Sequence, residues 1–371
     1  MFYLRFLKPK NDEEVQQSRD FSDDNLCQAV ALGNECEKIG ECKNSHDLLK
    51  FLESKPPDIL EECPLYNIYG KCPHGYKCRA SKSHIDGEGK LKINDELASK
   101  DIVTQFNFIS IDTRKALRSK TYDFSKTIEQ KKIFEDRKNN ASKDPASNGT
   151  SEQPTVDGTT SLVEKESKPI KKKAVDFKGK TYLAPLTTVG NMPFRRICKE
   201  FGVDITCSEM AMASNILQGT NSEWALLRRH ASEDIFGVQI CGNNFDQLVS
   251  TSELISKECN VDFIDLNVGC PIDLVYEKGS GSGMFKSLNK MYGIVNAMNN
   301  VAECPITVKY RTGINNKHPL AVKVTQRLDE IGVQLGIVHG RSRLQRYSKL
   351  ADWSYIKEVK ESAGSMQIFG I

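Results

Sequence analysis

From Lys178 onward, short β-rich runs alternate with amphipathic helical patterns, and this alternation constrains the fold more than any other feature. The β-rich runs are Thr181–Leu186, Asp204–Met210, Phe236–Gly242, Phe263–Val268, Ile306–Tyr310, Gly336–His339 and Met366–Phe369. One helical pattern carries Leu288, Met291, Val295 and Met298, and another carries Leu320, Val324, Leu328 and Ile331, both at 3/4 spacing. A third is bracketed by Pro193 near its start and Gly202 just past its end. Strands that alternate with helices build βαβ units and a parallel sheet. No G-x-G-x-x-G follows the first strand, which argues against a doubly wound dinucleotide fold. The expected fold is therefore α/β, a (β/α)8 TIM-type barrel over 178–371. Such a barrel takes about 250 residues, and 194 remain from Lys178. About seven strands are expected, without the last βα unit.

Chemically capable residues recur at the C-terminal ends of these strands, where barrel chemistry is found. Ala184-Pro185-Leu186-Thr187 ends the first run, Ser208-Glu209-Met210 the second and Gln239-Ile240-Cys241-Gly242 the third. Asp265-Leu266-Asn267-Val268-Gly269-Cys270-Pro271 ends the fourth and places a thiol in a tight turn. Lys309-Tyr310-Arg311-Thr312-Gly313 and His339-Gly340-Arg341-Ser342-Arg343 end the fifth and sixth. A structural core has no need of this recurrence.

The twelve cysteines divide into two groups. Six lie between Cys27 and Cys78, in a stretch too poor in periodic apolar residues to build a core unaided. Cys27, Cys36, Cys42 and His46 are spaced C-x8-C-x5-C-x3-H, and Cys63, Cys72, Cys78 and His84 are spaced C-x8-C-x5-C-x5-H. Three thiolates and one imidazole suit a closed tetrahedral Zn²⁺ site. Two CCCH zinc fingers are expected, at 20–50 and 57–90. In the second, His74 stays open as a poorer alternative to His84, because it lies between Cys72 and Cys78. Tyr66, Tyr69, Tyr76, Lys71 and Arg79 are candidates to stack on bases or meet phosphates.

Residues 91–177 read as a linker, with helical-looking pieces around Lys126–Lys138 and disorder from 139 that ends in Lys171-Lys172-Lys173. The formal net charge of +3 is too small to argue for nucleic acid by itself. No run approaches the roughly 18 apolar residues of a membrane span, and Met1–Leu7 is too short for a signal peptide. A monomer in the cytoplasm or nucleus, away from membranes, is expected.

The ordered set A-P-L-T, Q-x-x-G, N-x-G-C-P, K-x-R-T-G and H-G-R-[ST]-R resembles the tRNA-dihydrouridine synthases, and the two fingers are similar to those of the eukaryotic tRNA-dihydrouridine(47) synthase subfamily. The resemblance covers 20–90 and 178–371. It implies an oxidoreductase that uses FMN, with NADPH as the hydride source, to reduce a uridine of tRNA to 5,6-dihydrouridine; mRNA stays open as a further substrate. Cys270 would protonate C5 of the uracil. Gln239 would bond the flavin ring, Lys309 would place positive charge at its N1/O2 edge and His339 would lie on its phosphate side. Pro185, Leu186 and Thr187 would line one face, Asn267 would hold the uracil edge, and Arg311, Arg341 and Arg343 would contact RNA. Gly279-Ser280-Gly281-Ser282-Gly283 would form a mobile lid. In the family the Phe-Gly that stands at 369–370 here runs on into an eighth βα unit and a helical domain, so a C-terminally truncated barrel with a weakened FMN phosphate cup is expected. Two other readings are an RNA-binding zinc-finger protein with a non-functional barrel and a dihydroorotate-dehydrogenase-like enzyme.

Overall fold

The computed structural model describes residues 25–99, 104–141 and 175–371. The chain divides into two compact units at Val103/Thr104.

In the first unit, helix α1 (Gln28–Ala31) follows Cys27 and helix α2 (Leu48–Ser54) follows His46. Asp47 caps α2 by accepting the Lys50 N–H at 3.0 Å. Helix α3 (Pro64–Tyr69) starts at Cys63, whose Sγ accepts the Tyr66 N–H, and it ends on Gly70 in the left-handed region. The two fingers share one apolar cluster. Leu26 and Ala31 from the first finger bury with Tyr76 from the second, and Leu48, Phe51, Ile85 and Leu91 pack around them. Gly75 makes this approach possible: at φ +49° a Cβ there would lie 1.8 Å from the Ala31 carbonyl oxygen. Tyr76 is thus a packing residue, with its hydroxyl on the Gly89 carbonyl, and is closed to base stacking.

The second unit begins before the sequence pattern suggests. Residues 104–141 fall within the stretch that reads as linker, yet they form helices α4 (Ile111–Ser119) and α5 (Ser125–Ala141) that pack on the barrel helices. Their Lys-rich composition conceals an inward face. Thr127 donates through both N and Oγ1 to the buried Glu253 carboxylate, and Phe134 stacks on Phe245 at 4.4 Å. The expected disordered segment beyond Ala141 and the Lys171–Lys173 triplet lie outside the described residues.

The barrel sheet is parallel throughout. Its strands are β1 (Ile205–Cys207), β2 (Ala211–Met212), β3 (Ile235–Cys241), β4 (Phe263–Val268), β5 (Ile306–Arg311), β6 (Leu335–His339) and β7 (Gln367–Gly370), ordered β1-β3-β4-β5-β6-β7 with β2 also on β3. β1 lies within the expected second strand, Asp204–Met210, and β2 falls just past its end. The expected first strand is reduced to one parallel bridge, Tyr182 to Ile205. The sheet curls so that the Tyr182 and Phe369 rings, from its two ends, come within 5.7 Å. Among the described residues no hydrogen bonds join those ends, so the sheet is an incomplete barrel.

Helices cover the outer face: α6 (Met192–Glu200), α7 (Phe245–Glu258), α9 (Leu288–Val301), α10 (Ala321–Glu330) and α11 (Trp353–Ser362), while the short α8 (Asp273–Glu277) follows the Cys270 turn. Side chains alternate along each strand. Phe236, Val238, Ile240, Ile264, Leu266, Val268, Ile306, Val308 and Tyr310 join the core under the helices. The opposite set faces inward, apolar at the strand starts and polar at the strand ends: Ile205, Phe263, Leu335 and Ile337 form the closed lower layer. Gln239, Asp265, Asn267, Thr307, Lys309, Arg311 and His339 fall on the same inward phase.

Candidate active site

The register places Gln239 beside Asp265, Asp265 beside Thr307, and Asn267 beside Lys309. A directional chain of hydrogen bonds follows. Thr307 Oγ1 donates to Asp265 Oδ1 at 2.6 Å, and Gln239 Nε2 donates to Asp265 Oδ2 at 2.7 Å. Asn267 Nδ2 donates to Gln239 Oε1 at 2.9 Å. Asn267 Oδ1 accepts the N–H groups of Gly269 and Cys270 at 3.1 and 2.9 Å. This pair of bonds shapes the turn that carries the Cys270 thiol, which is buried with 9% exposure.

Asp265 is fully buried, and burial drives its carboxyl up to about 6, against the opposing effect of the Gln239 and Thr307 bonds and the Lys309 charge. Both of its oxygens accept hydrogen bonds, as those of a carboxylate do. The motif reading passed over it as a site residue. The D-x-N spacing was the available signal, since alternation puts Asp265 on the face of Asn267.

Burial lowers the Lys309 pKa, with Asp265 pulling the other way. Among the described residues Lys309 has no ion-pair or hydrogen-bond partner. His339 is buried, and burial together with Arg311, Lys309 and Arg341 pushes its pKa down to about 3. It is a neutral imidazole whose Nε2 lies 3.1 Å from Arg341 Nη1.

The arginines are differently employed than expected. Arg311 is 2% exposed and donates to the Gly269 and Ser342 carbonyls at 2.9 and 3.0 Å, so it braces the Cys270 turn and is closed to RNA phosphate. Arg343 lies over the Tyr276 ring at 3.6 Å and donates to Asp273, which Arg346 also contacts. Arg341 donates to the Lys349 carbonyl. Carbonyls and a carboxylate in the neighbouring loops absorb these guanidinium groups.

The Gly279–Gly283 segment is also unlike a lid. Residues Gly281–Phe285 are buried, and the Ser282 N–H and hydroxyl both bond the Cys270 carbonyl, at 3.2 and 2.7 Å. The glycines serve close approach, since a Cβ on Gly281 would lie 2.9 Å from Cys270 Cβ. Pro185, Leu186 and Thr187 lie at the same end of the sheet, in a loop closed by the Gly190 N–H on the Leu186 carbonyl and tied to Glu209 through the Thr188 N–H. No hydrogen bond among the described residues joins them to Gln239 or Lys309.

In the finger unit, one ligand atom from each of Cys27, Cys36, Cys42 and His46 lies within 4.8 Å of the others, and Cys63, Cys72, Cys78 and His84 meet the same limit. His84, not His74, completes the second set. The Nε2 atoms of His46 and His84 are buried without a hydrogen-bond partner, an arrangement that costs about 1–3 kcal/mol unless a ligand takes the lone pair. The soft donor set and the orphaned nitrogens fit Zn²⁺.

The chain is similar to several curated proteins. A Xenopus tropicalis relative called tRNA-dihydrouridine(47) synthase [NAD(P)(+)]-like is 43% identical, over 94% of this chain and 57% of its own length. A Homo sapiens relative of the same name is 42% identical over 89% and 55% of the two chains. The tRNA-dihydrouridine(47) synthase [NAD(P)(+)] of Yarrowia lipolytica is 41% identical over 88% and 53%. The chain thus spans little more than half the length of these curated relatives. The Dihydrouridine synthase (Dus) family profile matches residues 182–369, almost the whole parallel sheet with the Cys270 turn at its centre. On that match this chain belongs to the dihydrouridine synthase family.

Proposed function

We propose that this chain reduces a uridine of tRNA, at position 47, to 5,6-dihydrouridine, using FMN with NADPH as the reductant, and that its fingers each hold one Zn²⁺. One observation carries the reading. A buried thiol turn, an unpartnered lysine and two side-chain amides, each with one uncommitted N–H, converge at the C-terminal end of the sheet. That donor-rich, cationic surface fits the carbonyls and anionic reduced ring of FMN.

When bound, FMN would supply the hydride for uracil C6. Cys270 gives its Sγ proton to C5, and the thiolate regains a proton from solvent, so the C5=C6 bond gains one hydride and one proton. Lys309 would hold positive charge toward a bound flavin ring, and the spare Gln239 N–H could donate to a ring acceptor. Asn267 orients the uracil edge while it shapes the Cys270 turn. His339 and the Pro185–Thr187 loop would border the cofactor. The uridine must leave its stack to reach Cys270.

The test is titration of purified, zinc-supplied chain with FMN, followed by flavin fluorescence and absorbance. One FMN per chain is expected, with affinity about tenfold lower or worse in Lys309→Met, because a bond to a charged group is worth about 1.5–3 kcal/mol. No binding, or binding indifferent to Lys309, would remove this reading.

A further inference from the structure

We infer that Asp265 is a positioning residue: it sets the polarity of the relay that presents Gln239 and Asn267 as donors to a bound ligand and steadies the Cys270 turn. The inference rests on the site reading above and extends it to a residue that takes no part in the transfer itself.

The shape of a side-chain amide does not fix which way its oxygen and nitrogen point; only the bonding network does. An ionised carboxylate can only accept. With Asp265 buried between Thr307 and Gln239, the Gln239 Nε2 is drawn down onto Oδ2, and its Oε1 is left to face Asn267. Asn267 Nδ2 then fills that acceptor, and Asn267 Oδ1 takes the Gly269 and Cys270 N–H groups. Every link runs in one sense, from the backbone of the Cys270 turn down to the carboxylate. A reversed Gln239 would set its carbonyl against the carboxylate and its amide nitrogen against the Asn267 nitrogen. In the observed sense each amide has one N–H committed and one left over. Both amides therefore offer donors to a ligand, a surface suited to ring carbonyls and imine nitrogens.

Asp265 also lies two residues below the Lys309 register position on the inward face, so charge is a competing account of its presence. Two variants separate the accounts. Asp265→Asn removes the charge but can still present an oxygen to Gln239 Nε2 and its NH₂ to the Thr307 hydroxyl oxygen. Asp265→Leu removes the acceptor. The full chain is used, with FMN titration as one readout and iodoacetamide labelling of Cys270, mapped by mass spectrometry in flavin-free protein, as the other.

The relay predicts that Asp265→Asn stays within about threefold of wild type in both readouts, whereas Asp265→Leu loses about tenfold or more in FMN affinity, the equivalent of one lost buried bond, and alters the labelling rate severalfold. Equal damage from both variants would assign the effect to charge, and no effect from either would leave Asp265 without a role; either result overturns the inference. If Asp265→Leu does not fold, the isosteric Asn267→Asp puts an acceptor against Gln239 Oε1 and is expected to give the same losses; wild-type behaviour there is equally fatal. Should the wild-type chain bind no FMN, the proposed function fails by itself, while the labelling arm still decides the relay.

Discussion

Gly281→Ala tests whether the Gly-rich segment is a pinned support or a lid. Gly281 sits at φ +55°, a region that costs an L residue about 1–2 kcal/mol. The added methyl would meet Cys270 Cβ at 2.9 Å, Val275 Cγ1 at 3.0 Å and the Cys270 carbonyl oxygen at 3.1 Å. Overpacking of that kind adds about 1–3 kcal/mol. The expected loss is roughly 2–5 kcal/mol, a large share of the 5–15 kcal/mol typical of a domain. Both tryptophans, Trp224 and Trp353, lie in the barrel unit, so urea unfolding followed by their fluorescence reports that unit without the fingers. The midpoint should fall with little change in slope, and iodoacetamide labelling of Cys270 should accelerate as the turn is displaced. A wild-type midpoint with wild-type labelling would mean that Gly281 moves freely, and the pinned segment would be refuted.

Further expectations concern the metal sets, the finger packing and acid stability. His84→Ala should reduce bound zinc from two per chain to one, measured by atomic absorption, whereas His74→Ala should retain two. Gly75→Ala should part the fingers and speed tryptic cleavage of that unit, since its Cβ would collide with the Ala31 carbonyl; unchanged cleavage would contradict the shared cluster. His339 stays neutral to about pH 3, whereas an unfolded histidine takes a proton near 6.5. The unfolded chain therefore binds more protons between those values, and stability falls as pH drops through that window. Asp265 acts oppositely between about 6 and 3.8, where the folded chain holds the extra proton. His339→Gln should remove the first effect, so its thermal midpoint should drop less than wild type on going from pH 7 to 5.

Much of the fold was legible because strand and helix periods are local. β4 occupies the predicted Phe263–Val268, and Asn191 and Pro193 start α6 as such residues do. What escaped depends on register and burial. The first strand carries Tyr182 and Leu183, yet only one bridge forms there. Glycines serve equally for looseness and for close approach, and only the contact of Gly281 with Cys270 tells which applies. Arg311 reads as a phosphate ligand until the Gly269 and Ser342 carbonyls are seen around it. In α5 the inward Thr127, Gln130 and Phe134 are hidden among lysines and acids, so composition suggested a linker. Alternation could put Asp265 on the site face, but its partners Gln239 and Thr307 are set only by the cross-strand register.

The most direct test incubates the purified chain with FMN, NADPH and tRNA that lacks dihydrouridine, then digests the tRNA and looks by mass spectrometry for the two-hydrogen gain on uridine. The account predicts dihydrouridine with the wild-type chain and a fall of about 10²–10⁴-fold in Cys270→Ala, the range for a lost general acid, with FMN and tRNA binding retained. Product formed equally well without the Cys270 thiol, or no product from a chain that holds both FMN and tRNA, would contradict it.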